Sequence, residues 1–396
     1  MSVNRLFGWC FLVAIFVGAI GLDPWSLSER DPSVLLGSRR MFARHAQAVV
    51  AGMAFFQLLV ARLLGERYPA RVRRLVSRLS AAGALVYCLG YGLYLLGQAG
   101  AWLSIGGALV NSLALGALAG AHLRGQDTWT GRVVPMILCL GMLIDAMMAL
   151  FAADPVLFLP GFIGAEDGVR LRMLRLARAA IIALLLLTLL YQDLADDGGA
   201  HGRLVRGGKL LLVIGAVGMP LTLCLAVFTW LGLKTFLAVP AVAIFAGVLA
   251  GIWLASRLKR PSEVWGWLLI AIAMAAGLFM GTYAFDGPSP TPDFLGAYNA
   301  FNRRLSRLAH GYAIILGLLS ILLARELNAA RIPSWPRRLG RVLVVAGSIV
   351  TVAGVLLQAI GAPPLPTLCV GPALVASGMV LCLLRSTFVK MDQPRP

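Results

Sequence analysis

Apolar residues run for about 18 to 25 positions at a time, the length a helix needs to cross the hydrocarbon of a bilayer. Twelve such runs fill the chain, at about 5–22, 41–64, 80–98, 101–122, 133–152, 172–192, 209–232, 235–256, 265–285, 304–325, 341–361 and 365–384. The connections are short, and the longest carry turn residues, as in Asp286-Gly287-Pro288-Ser289-Pro290 and Ala362-Pro363-Pro364-Leu365-Pro366. The pattern predicts an all-α polytopic membrane protein with almost nothing outside the bilayer. The first run, with Arg5 before it and small residues at Ala19 and Gly21, has the features of a signal peptide. It is read as a retained helix, because the repeat described next needs it.

Three of the runs open alike. Arg39-Arg40-Met41-Phe42-Ala43-Arg44-His45 precedes the second, Arg175-Leu176-Ala177-Arg178 lies in the sixth, and Arg303-Arg304-Leu305-Ser306-Arg307-Leu308-Ala309-His310 opens the tenth. Setting His45, Arg178 and His310 in register gives steps of 133 (45 to 178) and 132 (178 to 310). Gly106-Gly107-Ala108-Leu109, Val239-Pro240-Ala241-Val242 and Gly371-Pro372-Ala373-Leu374 keep nearly the same step. Three steps of 132 span the 396 residues, so the chain reads as one membrane domain of three tandem four-helix repeats, about 1–132, 133–264 and 265–396. An even number of spans makes the repeats parallel, and the expected architecture is twelve transmembrane helices as three units around a pseudo-threefold axis normal to the membrane. Two halves of six helices would instead give matches at an offset near half the chain, and none as good is found.

Composition sharpens the class. The chain is 59% hydrophobic and only 13% charged, with a mean hydropathy of +0.84, against about a quarter charged in globular chains. A cytosolic enzyme, a secreted disulfide scaffold and a disordered regulator are excluded. The formal charge of +18 would point to nucleic acid in a soluble protein, but here the basic residues flank membrane spans and no nucleic-acid partner is expected. With the N-terminus inside, 23 of the 35 Lys and Arg fall on the inner side. That bias predicts a bacterial-type inner (plasma) membrane protein with both termini in the cytoplasm. The cysteines at 10, 88, 139, 224, 369 and 382 all lie in apolar runs without a C-x-x-C pair, and read as small hydrophobes.

Of four histidines, His122 and His201 fall in inner polar segments and read as solvated surface. His45 and His310 lie about a turn into their spans from the outer face, at the same repeat position. Two imidazoles at matched depth are placed to ligate one tetrapyrrole iron from opposite sides, with Ala46, Ala48, Gly52, Gly311, Ala313 and Gly317 leaving room for the ring or for close helix packing. The metal ligands expected are therefore His45 and His310.

Twelve helices in three four-helix units, with histidines near the outer ends of spans 2 and 10, resemble the catalytic subunit of haem-copper oxidases and nitric oxide reductases. The motifs are Arg40-x-x-x-Arg44-His45-Ala46-Gln47-Ala48 and Leu308-Ala309-His310-Gly311. The resemblance implies that this pair holds a single low-spin haem b. It also shows departures: Leu308 stands where that family has its high-spin haem ligand, span 6 has Arg178 at the repeat position, and span 7 has no histidine. A copper site is not expected, nor is oxygen or nitric oxide reduction. What remains is electron transfer, or redox or gas sensing, alongside a cytochrome, a quinol or other membrane subunits.

Arginines crowd the outer starts of spans 2, 6 and 10: Arg39, Arg40 and Arg44; Arg170, Arg172, Arg175 and Arg178; Arg303, Arg304 and Arg307. Arg44, Arg178 and Arg307 are the candidates for haem propionates, which suit guanidinium forks; lipid headgroups or Asp154, Glu166, Asp167 and Asp293 are the other partners. Asp145 is the one acid well inside a span, where an acid is costly; it is expected to take part in a proton path, face Arg178, or act as a protonated hydrogen-bonding group. Gln47, Gln57, Asn111, Tyr87, Tyr91 and Tyr312 read as packing or interhelical bonds. The competing function is a cofactor-free transporter or structural or assembly subunit that binds an anion through the outer arginines.

Overall fold

Each apolar run becomes one helix. The computed structural model describes residues 3–27, 38–64, 68–94, 99–121, 129–163, 168–284, 289–297, 300–329, 334–360 and 367–391, and the backbone alone at 21–27, 38–47, 94, 131, 152, 155, 156, 329, 367, 368 and 382–391. Among the described residues twelve helices have twenty or more residues: α1 Val3–Leu27, α2 Ser38–Leu63, α3 Ala70–Tyr94, α4 Ala99–Gly120, α5 Val134–Ala153, α6 Val169–Asp197, α7 Arg203–Phe228, α8 Ala238–Arg257, α9 Pro261–Gly281, α10 Phe301–Ala329, α11 Ser334–Ala359 and α12 Thr367–Met391. No strand occurs among these residues. Ten of the helices are long and apolar enough to cross a membrane; in α2 and α12 the described apolar stretches are the shorter Ala48–Leu63 and Cys369–Leu381. The chain is a multi-pass membrane protein.

Local chemistry sets several starts. Proline falls in the first turn of α5 and α9, where its missing N–H has no helical partner to lose, and Glu263 places a negative charge at the positive end of α9. Pro220 and Pro372 lie inside α7 and α12, a position that membrane helices tolerate when neighbours satisfy the freed carbonyl.

The chain divides into two compact units, one of Met1–Ile15, Gly37–Leu186 and Ile214–Pro240, the other of Phe16–Leu36, Leu187–Val213 and Ala241–Pro396. In the first unit α2, α3, α4 and α5 pack in sequence, each on the next. Asn4, fully buried, ties α1 to this stack: its Nδ2 donates to Gln57 Oε1 at 2.5 Å and to Ser80 Oγ at 2.6 Å, while Gln57 donates to the Ser80 carbonyl at 2.8 Å. Asn4, Gln57 and Ser80 thus satisfy one another, as an apolar solvent demands. In the second unit α9, α10, α11 and α12 pack in sequence in the same way.

The tightest crossing in each stack is made by glycines. A Cβ on Gly107 of α4 would stand 2.7 Å from the Gly83 carbonyl of α3, and one on Gly83 would stand 2.9 Å from the Gly107 carbonyl. In the second unit a Cβ on Gly347 of α11 would stand 2.7 Å from the Gly371 carbonyl of α12, and one on Gly371 would stand 2.7 Å from the Thr351 nitrogen. Backbones come this close only where no side chain intervenes, and dispersion is then the main attraction between helices in lipid. The two crossings share a register: Gly83, Tyr87 and Gly107 become Gly347, Thr351 and Gly371 by one step of 264 (83 to 347, 87 to 351, 107 to 371).

Candidate functional site

His310 lies on α10, facing α9. Its Nδ1 is 2.8 Å from the Ala273 carbonyl, a pure acceptor, so Nδ1 carries the proton and Nε2 keeps its lone pair. Gly277 makes this contact possible. It stands one turn after Ala273, and a Cβ there would lie 2.8 Å from His310 Cε1. The missing side chain opens the α9 backbone to the ring. The result is a neutral imidazole of fixed tautomer and orientation, the second-shell arrangement found behind metal-ligating histidines.

The same slot in α5 and α6 is filled differently. Asp145 and Arg178 stand 132 positions before Gly277 and His310 (145 to 277, 178 to 310), and they form an ion pair, Arg178 Nε to Asp145 Oδ1 at 3.1 Å. Each sits well inside its helix, Asp145 about 12 Å from the Ala153 end at 1.5 Å per residue. The Asp145 side chain is 3% exposed and that of Arg178 19%. Arg178 Nη1 also donates to Tyr91 Oη at 3.4 Å, and the Tyr91 ring packs on Tyr87 with centroids 5.2 Å apart. The Tyr87 hydroxyl is buried beside Asp145, and the buried amide of Asn111 one turn past Gly107 makes no hydrogen bond among the described residues.

At the opposite ends of α6 and α10 lies a second charged group. Arg325 of α10 meets Asp193 of α6 at 2.8 Å and Glu263 of α9 at 3.2 Å, and donates to the Leu190 carbonyl at 2.8 Å. Arg260 extends the network to Asp197 at 3.1 Å and Glu263 at 3.2 Å. Burial disfavours the Arg260 charge, but hydrogen bonding to Asp197 and the field of Glu263 outweigh it, so its pKa is raised. Asp193 and Arg325 are 132 positions apart (193 to 325), the step expected of the repeat.

Two further arginines of these helix starts have protein partners among the described residues. Arg170 donates to the Val227 carbonyl and lies 5.7 Å over the Phe162 ring; Arg303 lies 5.2 Å over Tyr283 and donates to Thr291 at 3.3 Å. Burial raises the Tyr283 hydroxyl pKa, while the charges of Arg303 and Arg307 pull it down by less. Of the residues expected at the site, Arg178 and His310 therefore occupy matched slots in separate units. Arg44 and His45 are on α2, but their side chains lie outside the described residues, as does His122; His201 is exposed.

Among the small residues, Gly52 and Gly311 face open space, whereas Gly317 is used by packing, with Ile270 Cγ1 2.5 Å from where its Cβ would be. Gln57 forms the interhelical bond expected of it; Asn111 does not. Gly277 carries no sequence mark among 44 glycines; stepping Asp145 forward by 132 is the signal that singles it out. Among the described residues no three His, Cys, Asp or Glu side chains gather as a metal site. No known protein family and no curated protein matches the chain.

Proposed function

We propose that the protein is a membrane haem b protein, resembling the catalytic subunit of haem-copper oxidases in its helix plan, with His310 and His45 as the axial ligands of one low-spin haem. The observation that carries this reading is the His310 slot: Nδ1 held by the Ala273 carbonyl at 2.8 Å, with Gly277 admitting the ring and Nε2 left as the metal-binding nitrogen. A bare glycine opposite a histidine, in a slot where the preceding repeat keeps a complete ion pair, fits a residue with a ligand to hold. Arg307 and Arg44 are the propionate partners in this reading. Arg178, already set against Asp145, is the weakest of the three.

A haem with both axial positions taken by imidazole supplies one-electron transfer rather than gas reduction. The residues' task is to hold it. Neutral imidazoles fixed from behind, apolar helix walls and guanidinium groups toward the propionates would keep the ring in one orientation and set how readily it takes an electron. The reading includes three parallel four-helix repeats and cytoplasmic termini, and the pairing of Asp193 with Arg325, 132 positions on, is consistent in spacing with those repeats. The electron partner would be a cytochrome, a quinol or a companion membrane subunit.

A reduced-minus-oxidised spectrum of the purified protein tests the reading. The expected result is a Soret band and a sharp low-spin α-band that His310→Ala and His45→Ala each abolish or convert to high spin. A colourless protein after expression with haem supplied, or a spectrum indifferent to both substitutions, overturns it.

A further inference from the structure

We propose that Arg178, with Asp145 as its exchangeable counter-charge, binds one small monovalent anion together with one proton. The argument starts from the charge of the guanidinium. Arginine does not lose its proton in a protein, so at this depth in a membrane helix it needs a negative partner at all times. Asp145 is that partner, but it is engaged at one nitrogen only, Nε at 3.1 Å. Nη1 reaches Tyr91 at a long 3.4 Å, and Nη2 has no partner among the described residues. The guanidinium is thus half used, and its exposed edge is the unused one: Arg178 is 19% exposed where Asp145 is 3%.

The surroundings offer donors rather than charge. From α3 come Tyr87 and Tyr91, from α6 Arg178 itself, and α4, residues 99–120, contributes no titratable side chain. The Tyr87 hydroxyl is buried beside the pair. One anion at the free guanidinium edge would leave the site with an excess negative charge in a low dielectric. Protonating Asp145 removes it. The exchange is balanced: the anion docks on Nη1 and Nη2, the proton goes to an Asp145 carboxylate oxygen, and the net charge of the site does not change.

The His310 slot cannot do this, since it has neither a permanent charge nor an acid. The proposal therefore stands apart from the haem reading, and the haem spectrum and anion binding report on them separately.

The test uses the full chain in nanodiscs of uncharged lipid, with chloride as probe against a gluconate background of equal ionic strength, measuring heat of binding and proton uptake in weak buffer. One proton should enter per chloride bound, and chloride affinity should rise about tenfold for each pH unit lowered while Asp145 is ionised in the free protein. Asp145→Asn should keep chloride binding and abolish both the uptake and the pH dependence. Arg178→Gln leaves Asp145 without its partner and can misfold, so the double variant Asp145→Asn/Arg178→Gln serves as well; it should fold and bind no chloride. Chloride binding without proton uptake, binding that survives in the double variant, or no binding to the unaltered chain overturns the proposal.

Discussion

In α5 and α6 the facing residues are Asp145 and Arg178; 132 positions later, in α9 and α10, they are Gly277 and His310. The helix pairs are built to one register, yet one slot is closed by an ion pair and the other holds an imidazole over bare backbone. The difference shows how two helix pairs of matching spacing can separate tasks. In the first slot two charges offset each other locally across one short contact. In the second, the acid is replaced by a residue with no side chain at all, and the basic residue by one whose second ring nitrogen keeps its lone pair. A helix backbone carbonyl then does the orienting that the carboxylate does in the first slot.

The comparison breaks most visibly if its charged half is halved. Asp145→Ala should destabilise the protein by about 3–5 kcal/mol, because it strands a buried guanidinium, whereas Asp145→Ala/Arg178→Leu should recover most of the loss. Thermal unfolding in detergent, followed by circular dichroism, distinguishes the two. If the single and double variants melt alike, the pair is not a compensated unit and the contrast with the glycine–histidine slot falls.

A somewhat smaller effect tests whether the two units are built alike beneath these slots. Gly107→Ala and Gly371→Ala each place a Cβ against the backbone of the neighbouring helix. Each should cost about 1–3 kcal/mol by overpacking, and the two costs should be equal within about 0.5 kcal/mol. An effect confined to one of the pair would mean that the shared register does not carry shared packing.

How much of this was legible beforehand follows from what each interaction asks of the sequence. All twelve helices are visible as apolar runs, since crossing hydrocarbon dictates composition along the whole length. The facing of Asp145 and Arg178 was also within reach, because a lone intramembrane acid has few places to find a cation. The Arg325 network was not. Arg325 and Arg260 look like ordinary inner-face charges of the kind that set orientation, and Asp193 and Glu263 lie at helix ends where acids are unremarkable; only packing of α6, α9 and α10 brings them together. Gly277 was hidden for a different reason. A glycine's role depends on what approaches it, and that is a property of the partner helix rather than of its own neighbourhood in the chain. Asn111, read as packing or an interhelical bond, packs on α3 opposite Gly83 and makes no hydrogen bond among the described residues.

The inner network allows a graded check on burial. Arg325→Ala should behave like Asp145→Ala, since Glu263 beside it is 1% exposed. Arg260→Ala should cost less, because Arg260 is 25% exposed, solvent screens its pair with Asp197, and Arg325 still faces the buried Glu263. Equal losses for the two arginines would show that depth, the variable used to separate the ion-pair slot from the surface charges, is not what sets their cost.

The finest discrimination is between two glycines, one facing the His310 imidazole and one next to His310 in the chain. Gly277→Ala pushes on His310 Cε1 and loosens the Nδ1 bond to Ala273; a loss of about 0.5–1.5 kcal/mol is expected from that hydrogen bond alone. Gly311, adjacent to His310 in the chain, has nothing within 4 Å of where its Cβ would be. In the protein without haem, Gly311→Ala should therefore be neutral or stabilise α10 by up to about 1 kcal/mol, as alanine does in a helix. A haem ring lying against that face of α10 would add a second readout, because the new methyl would then meet the ring and shift the Soret band while leaving the melting temperature of the haem-free protein unchanged. Gly277→Ala should instead alter both. Two glycines, one used by the protein and one kept open, thus separate what holds the histidine from what the histidine holds.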